Sequence, residues 1–169
     1  MALAILAFAA DLPAQGNMVY YPPEKFSGVP AWVVAELNAR GCSIPQALHF
    51  RKGPHNLIRG EFVLKGQADW AALCSKNGKS SIVLLSTNKE KCTQELPVTG
   101  DSAYVQQVSS NQQAFSRLIS TATSKEITPY AMQDSPGFDH DGIIDEFAEK
   151  ASSIIYCREG TWVELQAVD

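Results

Sequence analysis

The clearest periodic pattern in the chain is an apolar helical face near the N-terminus. In SGVPAWVVAELNARGC the side chains of Trp32, Val33 and Leu37 recur at helical spacing and share one face. Its proline suits a first helical turn, where the missing N–H leaves no hydrogen bond unmade, and Gly41 is placed to end the helix. The pattern therefore predicts an α-helix from about Pro30 to Arg40.

Residues 56–87 carry the pattern of strands. The segments NLIRGEFVL, DWAALCS and SSIVLLST are apolar and mostly rich in residues that favour sheets. Asn77 and Gly78 separate the last two segments and form a strong hairpin signal, because both residues tolerate the positive φ of a type I′ turn. These residues are predicted to form a three-stranded antiparallel meander.

The second half of the chain is less regular. ASSIIYCREGTWVELQAV predicts a second hairpin, with Glu159-Gly160 as its turn and Trp162 and Leu165 as apolar contacts. QAFSRLISTA fits either a helix or a strand, SKEITPYAM is a short strand candidate broken by Pro129, and residues 88–113 are polar without a clear pattern. Runs of strands with one clear N-terminal helix, and room for one or two further short ones, predict an α+β fold with an antiparallel sheet.

Composition limits the class of protein. The chain has 169 residues, of which 45% are hydrophobic and 19% charged, and residues 16–169 are expected to form a single globular domain. Its net charge of -4 argues against nucleic-acid binding, which depends on Lys and Arg neutralising phosphates. The longest apolar run, Ala2 to Ala10, is too short for a membrane span, which needs about 20 residues.

The first 15 residues have the features of a secretion signal. The apolar run from Ala2 to Ala10 includes small residues at Ala7 and Ala9 in an A-x-A pattern, but the positively charged start is missing. We interpret this segment as the remnant of a signal or a truncated one, with an apolar N-terminal arm as the alternative. Export to the periplasm or the outside of the cell is the expected localisation.

The four cysteines agree with export. None has the C-x-x-C spacing of a zinc ribbon or a thioredoxin-like motif, so disulfide bonds are expected. Cys42 follows the predicted helix and Cys74 ends an apolar strand, so a bond between them would staple the helix to the sheet. For Cys92 two alternatives stay open, a bond to Cys157 or a free thiol.

An acidic segment near the C-terminus is the clearest candidate for a metal site. In SPGFDHDGIIDEF, Asp139, Asp141 and Asp145 surround Gly142 in the spacing D-x-D-G-x-x-D. Calcium takes six to eight oxygen ligands, and a glycine would allow the sharp turn that aims them inward. The preferred interpretation is a plain acidic turn in which Asp141 caps a short helix, IIDEFAEKA.

The same spacing resembles the calcium loops of EF-hand, dockerin and thrombospondin type 3 proteins. The resemblance covers about a dozen residues and implies one structural calcium, held by Asp139, Asp141, the carbonyl of Ile143, Asp145 and Glu149. Two anchor positions depart from it. Gly137 offers no side-chain oxygen at the first position, and Glu149 falls one residue after the twelfth.

Residues 58–74, IRGEFVLKGQADWAALC, carry a second local resemblance. Six residues match the repeat of FG-GAP or VCBS β-propellers, namely Gly60, Glu61, Phe62, Gly66, Asp69 and Ala71. Glu61 stands where the family has Asp, and Lys65 stands where an acidic ligand is usual, so the calcium site of that family is not expected here. One unit implies strand, loop and strand in an extracytoplasmic protein, since a propeller needs at least about four blades.

No complete catalytic constellation is present. The chain has no G-x-S-x-G, S-x-x-K or H-E-x-x-H motif. We therefore expect an exported, non-enzymatic binding or structural module with an extracytoplasmic protein partner and no cofactor other than the calcium considered above. The alternative is a secreted hydrolase with its site in the loops around His49, His55 and Asp139.

Overall fold

A computed structural model of the chain describes residues 18–128 and 137–166. The N-terminal segment interpreted as a signal lies outside these residues. Within them the chain forms two helices, α1 (Ala31–Arg40) and α2 (Ser124–Ile127), and twelve strands: β1 (Val19–Tyr21), β2 (Ile44–Gln46), β3 (Leu57–Gly60), β4 (Asp69–Lys76), β5 (Lys79–Leu85), β6 (Thr99–Gly100), β7 (Val105–Ser109), β8 (Gln112–Phe115), β9 (Arg117–Ala122), β10 (Gly142–Phe147), β11 (Ala151–Arg158) and β12 (Thr161–Gln166). All strand pairs are antiparallel, so the predicted α+β class is confirmed.

Helix α1 has the predicted position and one unpredicted feature. It begins directly after Pro30 and ends at Gly41, whose φ of 73° is left-handed and whose N–H bonds back to Asn38. Val33 and Leu37 are fully buried against the sheet, each contributing about 1.5–3 kcal/mol of hydrophobic stabilisation. Trp32 was expected on the same face, but it is 45% exposed.

One sheet contains the predicted meander. Its strand order is β3-β4-β5-β6, and the turn between β4 and β5 is Asn77-Gly78, with φ of 53° and 71°. The pairing of Lys76 with Lys79 closes this hairpin. This strand order confirms the predicted meander. The tight turn forms here because Asn and Gly adopt positive φ values at low cost.

The other large sheet has the order β12-β11-β10-β9. The predicted C-terminal hairpin is present as β11 and β12, with Glu159 and Gly160 both at positive φ. The undecided segment QAFSRLISTA forms β8 and β9. The strand prediction for SKEITPYAM is wrong where the structure describes it, because Thr123 and Glu126 form a capping box that starts the short helix α2.

The main core lies between the two large sheets. Its buried members come from both sheets and their connections, and include Phe62, Leu73, Ile82, Leu118, Ile119 and Ile143. A second cluster joins α1 to the outer face of the first sheet. A third lies on the outer face of the second sheet, where Ile127 and Phe138 pack on Tyr156. None of the described helices has the length and apolar character needed to cross a membrane.

Two disulfides connect these layers. Cys42 is bonded to Cys74, as predicted, and this bond ties the end of α1 to β4. Cys92 is bonded to Cys157, so the first of its two alternatives holds, and this bond ties the chain after β5 to β11 of the other sheet. All four cysteines are buried, and such bonds are typical of proteins in an oxidising, extracytoplasmic environment.

Candidate binding groove

The acidic segment becomes a strand, β10, from Gly142 onward, whereas Asp139 and Asp141 lie before that strand. Asp145 lies in the middle of β10, and both of its carboxylate oxygens accept hydrogen bonds from Arg117, at 2.8 and 2.7 Å. Arg117 is nearly fully buried, and its guanidinium lies 4.6 Å from the ring centre of Tyr104. Burial alone would lower the pKa of Arg117, but the hydrogen bonds and negative charge of Asp145 raise it. The negative charge of Asp145 is therefore balanced by the guanidinium of Arg117.

The remaining predicted calcium ligands have separate surroundings. One carboxylate oxygen of Asp141 accepts the N–H of Glu61 at 3.0 Å, and Asp139 is exposed beside the hydroxyl of Tyr156. Ile143 is buried in the ladder between β9 and β11, and Glu149 lies in the turn after β10. Over residues 18–128 and 137–166 the structure contains no group of three or more His, Cys, Asp or Glu side chains that could hold a metal ion. The described geometry therefore lends the calcium loop no support.

Gly142 has a different role from the one predicted. It is the first residue of β10, so the helix IIDEFAEKA capped by Asp141 is not present. A Cβ atom at this position would lie 2.9 Å from Ile154 and 3.0 Å from Ile127, closer than packed side chains allow. The glycine is needed for space between β11 and α2.

The segment that resembles an FG-GAP repeat consists of the end of β3, a loop and most of β4, and two of its acids accept hydrogen bonds from backbone N–H groups of the loop. Glu61 accepts the N–H of Gly66 at 2.7 Å, and the fully buried Asp69 accepts the N–H of Val63 at 3.0 Å. These bonds fix the connection between β3 and β4. Strand, loop and strand geometry agrees with the local expectation.

The three residues named for the alternative hydrolase site have separate partners in the structure. His49 is exposed and its ring packs edge-on against Phe50. His55 is buried, accepts the N–H of Ala47 at 2.6 Å and lies 2.9 Å from the carbonyl oxygen of Gly53, so both ring nitrogens are used by the backbone. Burial lowers its pKa. Asp139 hydrogen-bonds to Tyr156 instead of either histidine.

A buried polar cluster surrounds Asp101. Its Oδ2 accepts hydrogen bonds from the hydroxyls of Tyr20 and Ser75, and its backbone N–H bonds to the carbonyl of Gly78. Burial, with the hydrogen bond to Asp101 and its charge, raises the pKa of Tyr20 to about 12. This cluster ties β1 and the turn after β6 to the β4–β5 hairpin, which is a structural role.

A large groove lies beside β5. Its volume is about 1010 Å³, at the upper end of the range for ligand sites. It is bordered by α1 through Trp32, by β5 itself, by the connecting residues 86–98, and by Trp162 of β12. The Cys92–Cys157 bond and the hydrogen bond from the N–H of Cys92 to the carbonyl of Gly160 hold the connecting residues against the second sheet. The groove wall is therefore fixed covalently.

The lining of the groove is basic, whereas the chain as a whole is acidic. Five cationic side chains border it, which are Arg40, Lys76, Lys79, Lys89 and Lys91, against two carboxylates, Glu36 and Glu95. Arg40 and Glu36 form an exposed ion pair with each other. An excess of three positive charges remains in a protein whose net charge is -4. Apolar contact is available at Trp32 and at Val98, which is 60% exposed.

Sequence reasoning did not identify this groove. In the sequence, Lys76, Lys79, Lys89 and Lys91 form the longest basic cluster, and their interleaving with Glu90 is typical of a solvated hairpin surface. The one local signal was Trp32, a large apolar residue that the helical pattern assigned to the core. Comparisons of the chain with models of known protein families, with curated proteins and with solved structures find no match.

Proposed function

We propose that this protein is an exported, non-enzymatic binding module whose groove holds an acidic segment of an extracytoplasmic partner protein. The observation that carries the proposal is the concentration of positive charge in a groove on an acidic protein. Opposite charge increases the rate of encounter and excludes wrong partners. The two disulfides and the signal-like first 15 residues support export.

The groove has the physical features of a site for protein segments. Trp32 and Val98 provide exposed apolar area next to the lysines, and aromatic residues are frequent anchors in interfaces. The wall formed by residues 86–98 is already fixed by the Cys92–Cys157 bond. A preformed wall lowers the entropy cost of binding, because less of the protein has to become ordered.

A peptide array tests this function. The oxidised full-length protein is applied to short peptides of random sequence, together with acidic peptides and basic twins in which each Glu is replaced by Lys. We expect the protein to bind acidic peptides selectively. The double variant Lys79→Glu/Lys89→Glu should bind them with about tenfold lower affinity, because each reversed charge changes the binding free energy by roughly 1 kcal/mol or less.

The matched control reverses two lysines outside the groove, in Lys52→Glu/Lys125→Glu. Both side chains are exposed and neither lines the groove, while the change in net charge is the same. Acidic peptides should bind this control nearly as well as the wild type, and added salt should weaken binding to both. Equal binding of acidic peptides and their basic twins would contradict the proposal, as would equal losses in the two double variants.

A further inference from the structure

The groove runs along an incompletely paired strand. On the side of β5 away from β4, the neighbouring strand is β6, and it pairs only with Lys79 and Ser80. Residues 81–85 continue to pair with β4, but no strand of the described part of the chain pairs with their other side. All five of these residues line the groove. An open strand edge is therefore part of the site.

The hydrogen-bond pattern shows which backbone groups face this edge. In an antiparallel ladder, residues whose N–H and C=O point toward the partner strand alternate with residues that point away. On β4, the N–H groups of Ser75 and Leu73 bond to Ser43 and Asn56, on the side opposite β5. Their cross-strand partners are Ser80 and Ile82, so those two residues point away from β4.

The hydrogen bonds at the start of β5 show the same alternation. The carbonyl of Gly78 accepts the N–H of Asp101 at 2.9 Å, on the outer side of the hairpin. Counting in twos from Gly78 gives Ser80, which pairs with β6, and then Ile82 and Leu84. The N–H and C=O groups of Ile82 and Leu84 consequently point into the groove.

We propose that the partner segment binds as an added β-strand along β5, with its backbone hydrogen-bonded to Ile82 and Leu84. This inference rests on the proposed function and names the form of the ligand. Four backbone groups become paired in such a complex, and open sheet edges bind extended peptides in this way. Ile82 as a whole is 3% exposed and packs in the main core, so this part of the edge is held in place before binding.

The side-chain pattern of the ligand follows from the two faces of β5. Val83 and Leu85 belong to the cluster under α1, so residues of an added strand on that face lie toward Trp32. Ile82 and Leu84 belong to the main core, which extends to Trp162. We therefore expect an extended acidic segment that carries apolar side chains at alternate positions.

The experiment uses chemically modified peptides, which leave the protein unchanged. The probe is an end-capped peptide of alternating Glu and Val, with two twins in which either the Glu or the Val backbone nitrogens are methylated. Methylation removes hydrogen-bond donors and blocks strand pairing on one side while keeping the charge. We expect one twin to lose most of its affinity and the other to bind nearly as well as the parent peptide, because only one set of amides faces β5.

Amide hydrogen exchange provides the second measurement. Exchange at Ile82 and Leu84 should slow severalfold when the parent peptide binds, while the amides of β7 and β8, which form a separate sheet and do not line the groove, stay unchanged. Binding that depends on Lys79 and Lys89, but is equal for both twins and leaves Ile82 and Leu84 unprotected, would overturn strand addition and keep the proposed function. Absence of selective binding by any acidic peptide would overturn both.

Discussion

The buried ion pair between Arg117 and Asp145 offers the sharpest test of the structure. Replacing Asp145 by Asn keeps the size of the side chain but removes the charge that faces the guanidinium. The side chain of Arg117 is 4% exposed and that of Asp145 is 17% exposed, so water compensates little of the loss. Breaking one side of a buried pair costs about 3–5 kcal/mol, and the partial exposure of Asp145 places this case near 3 kcal/mol.

Urea unfolding of the oxidised protein measures this cost. Asp145→Asn should move the unfolding midpoint strongly at nearly constant slope, since a loss near 3 kcal/mol is a large share of the 5–15 kcal/mol typical of a domain. The matched control is Glu36→Gln, which breaks the ion pair with Arg40. That pair is exposed, so its loss should cost at most about 1 kcal/mol.

A second variant separates charge pairing from packing. Replacing both partners, in Arg117→Met/Asp145→Leu, leaves no unpaired buried charge and should recover much of the stability lost in Asp145→Asn. The contact of Arg117 with Tyr104 is lost in this variant, so recovery need not be complete. If Asp145→Asn costs no more than Glu36→Gln, the buried pair is not formed as described.

Four further outcomes are expected. Replacing Cys92 and Cys157 together by Ser should lower the free energy of unfolding by about 4 kcal/mol, since the bond closes a loop with a sequence separation of 65, and a midpoint within error of the wild type would contradict this. Gly142→Ala should cost about 1–3 kcal/mol in the same assay, because its Cβ would collide with buried side chains; an unchanged midpoint would show that β10 lies elsewhere. Burial lowers the pKa of His55, so the stabilisation associated with its neutral form is present above about pH 6.5 and is lost as the pH falls below that value. Below pH 6.5 the free energy of unfolding should therefore depend less on pH in His55→Gln than in the wild type. In His49→Gln the pH dependence should persist. The thermal unfolding midpoint should be the same with calcium as with chelator, because the carboxylates of the acidic segment have separate partners. A higher midpoint with calcium would support the predicted calcium site.

Local turn chemistry accounts for the parts of the fold that were predicted from sequence. Gly41 ends α1, and Asn77-Gly78 and Glu159-Gly160 close the two hairpins, each with residues at positive φ. These conformations depend on the residue itself, so they can be identified without knowing the neighbours. The bond from Cys42 to Cys74 was predicted for a similar reason, since it joins two elements that were themselves correctly placed.

The acidic segment shows where local reasoning fails. Its spacing fits a metal loop, a capped helix or a strand, and the choice among them depends on the neighbours. The partner of Asp145 is Arg117, which is 28 residues away and on a strand whose own pattern was ambiguous. The side chains that exclude any Cβ at Gly142 also come from other elements.

By itself the sequence determined the class of fold, the helix, the two hairpins and the use of cysteines, because each depends on periodicity or on the conformational preferences of a few adjacent residues. Only the tertiary structure decided that the acids are satisfied within the protein and that a basic groove exists. The groove is lined by α1, β5, residues 86–98 and β12, which are distant in the chain. Its open edge exists because β6 stops pairing after Ser80, and the end of a strand pairing is set by how the whole chain packs.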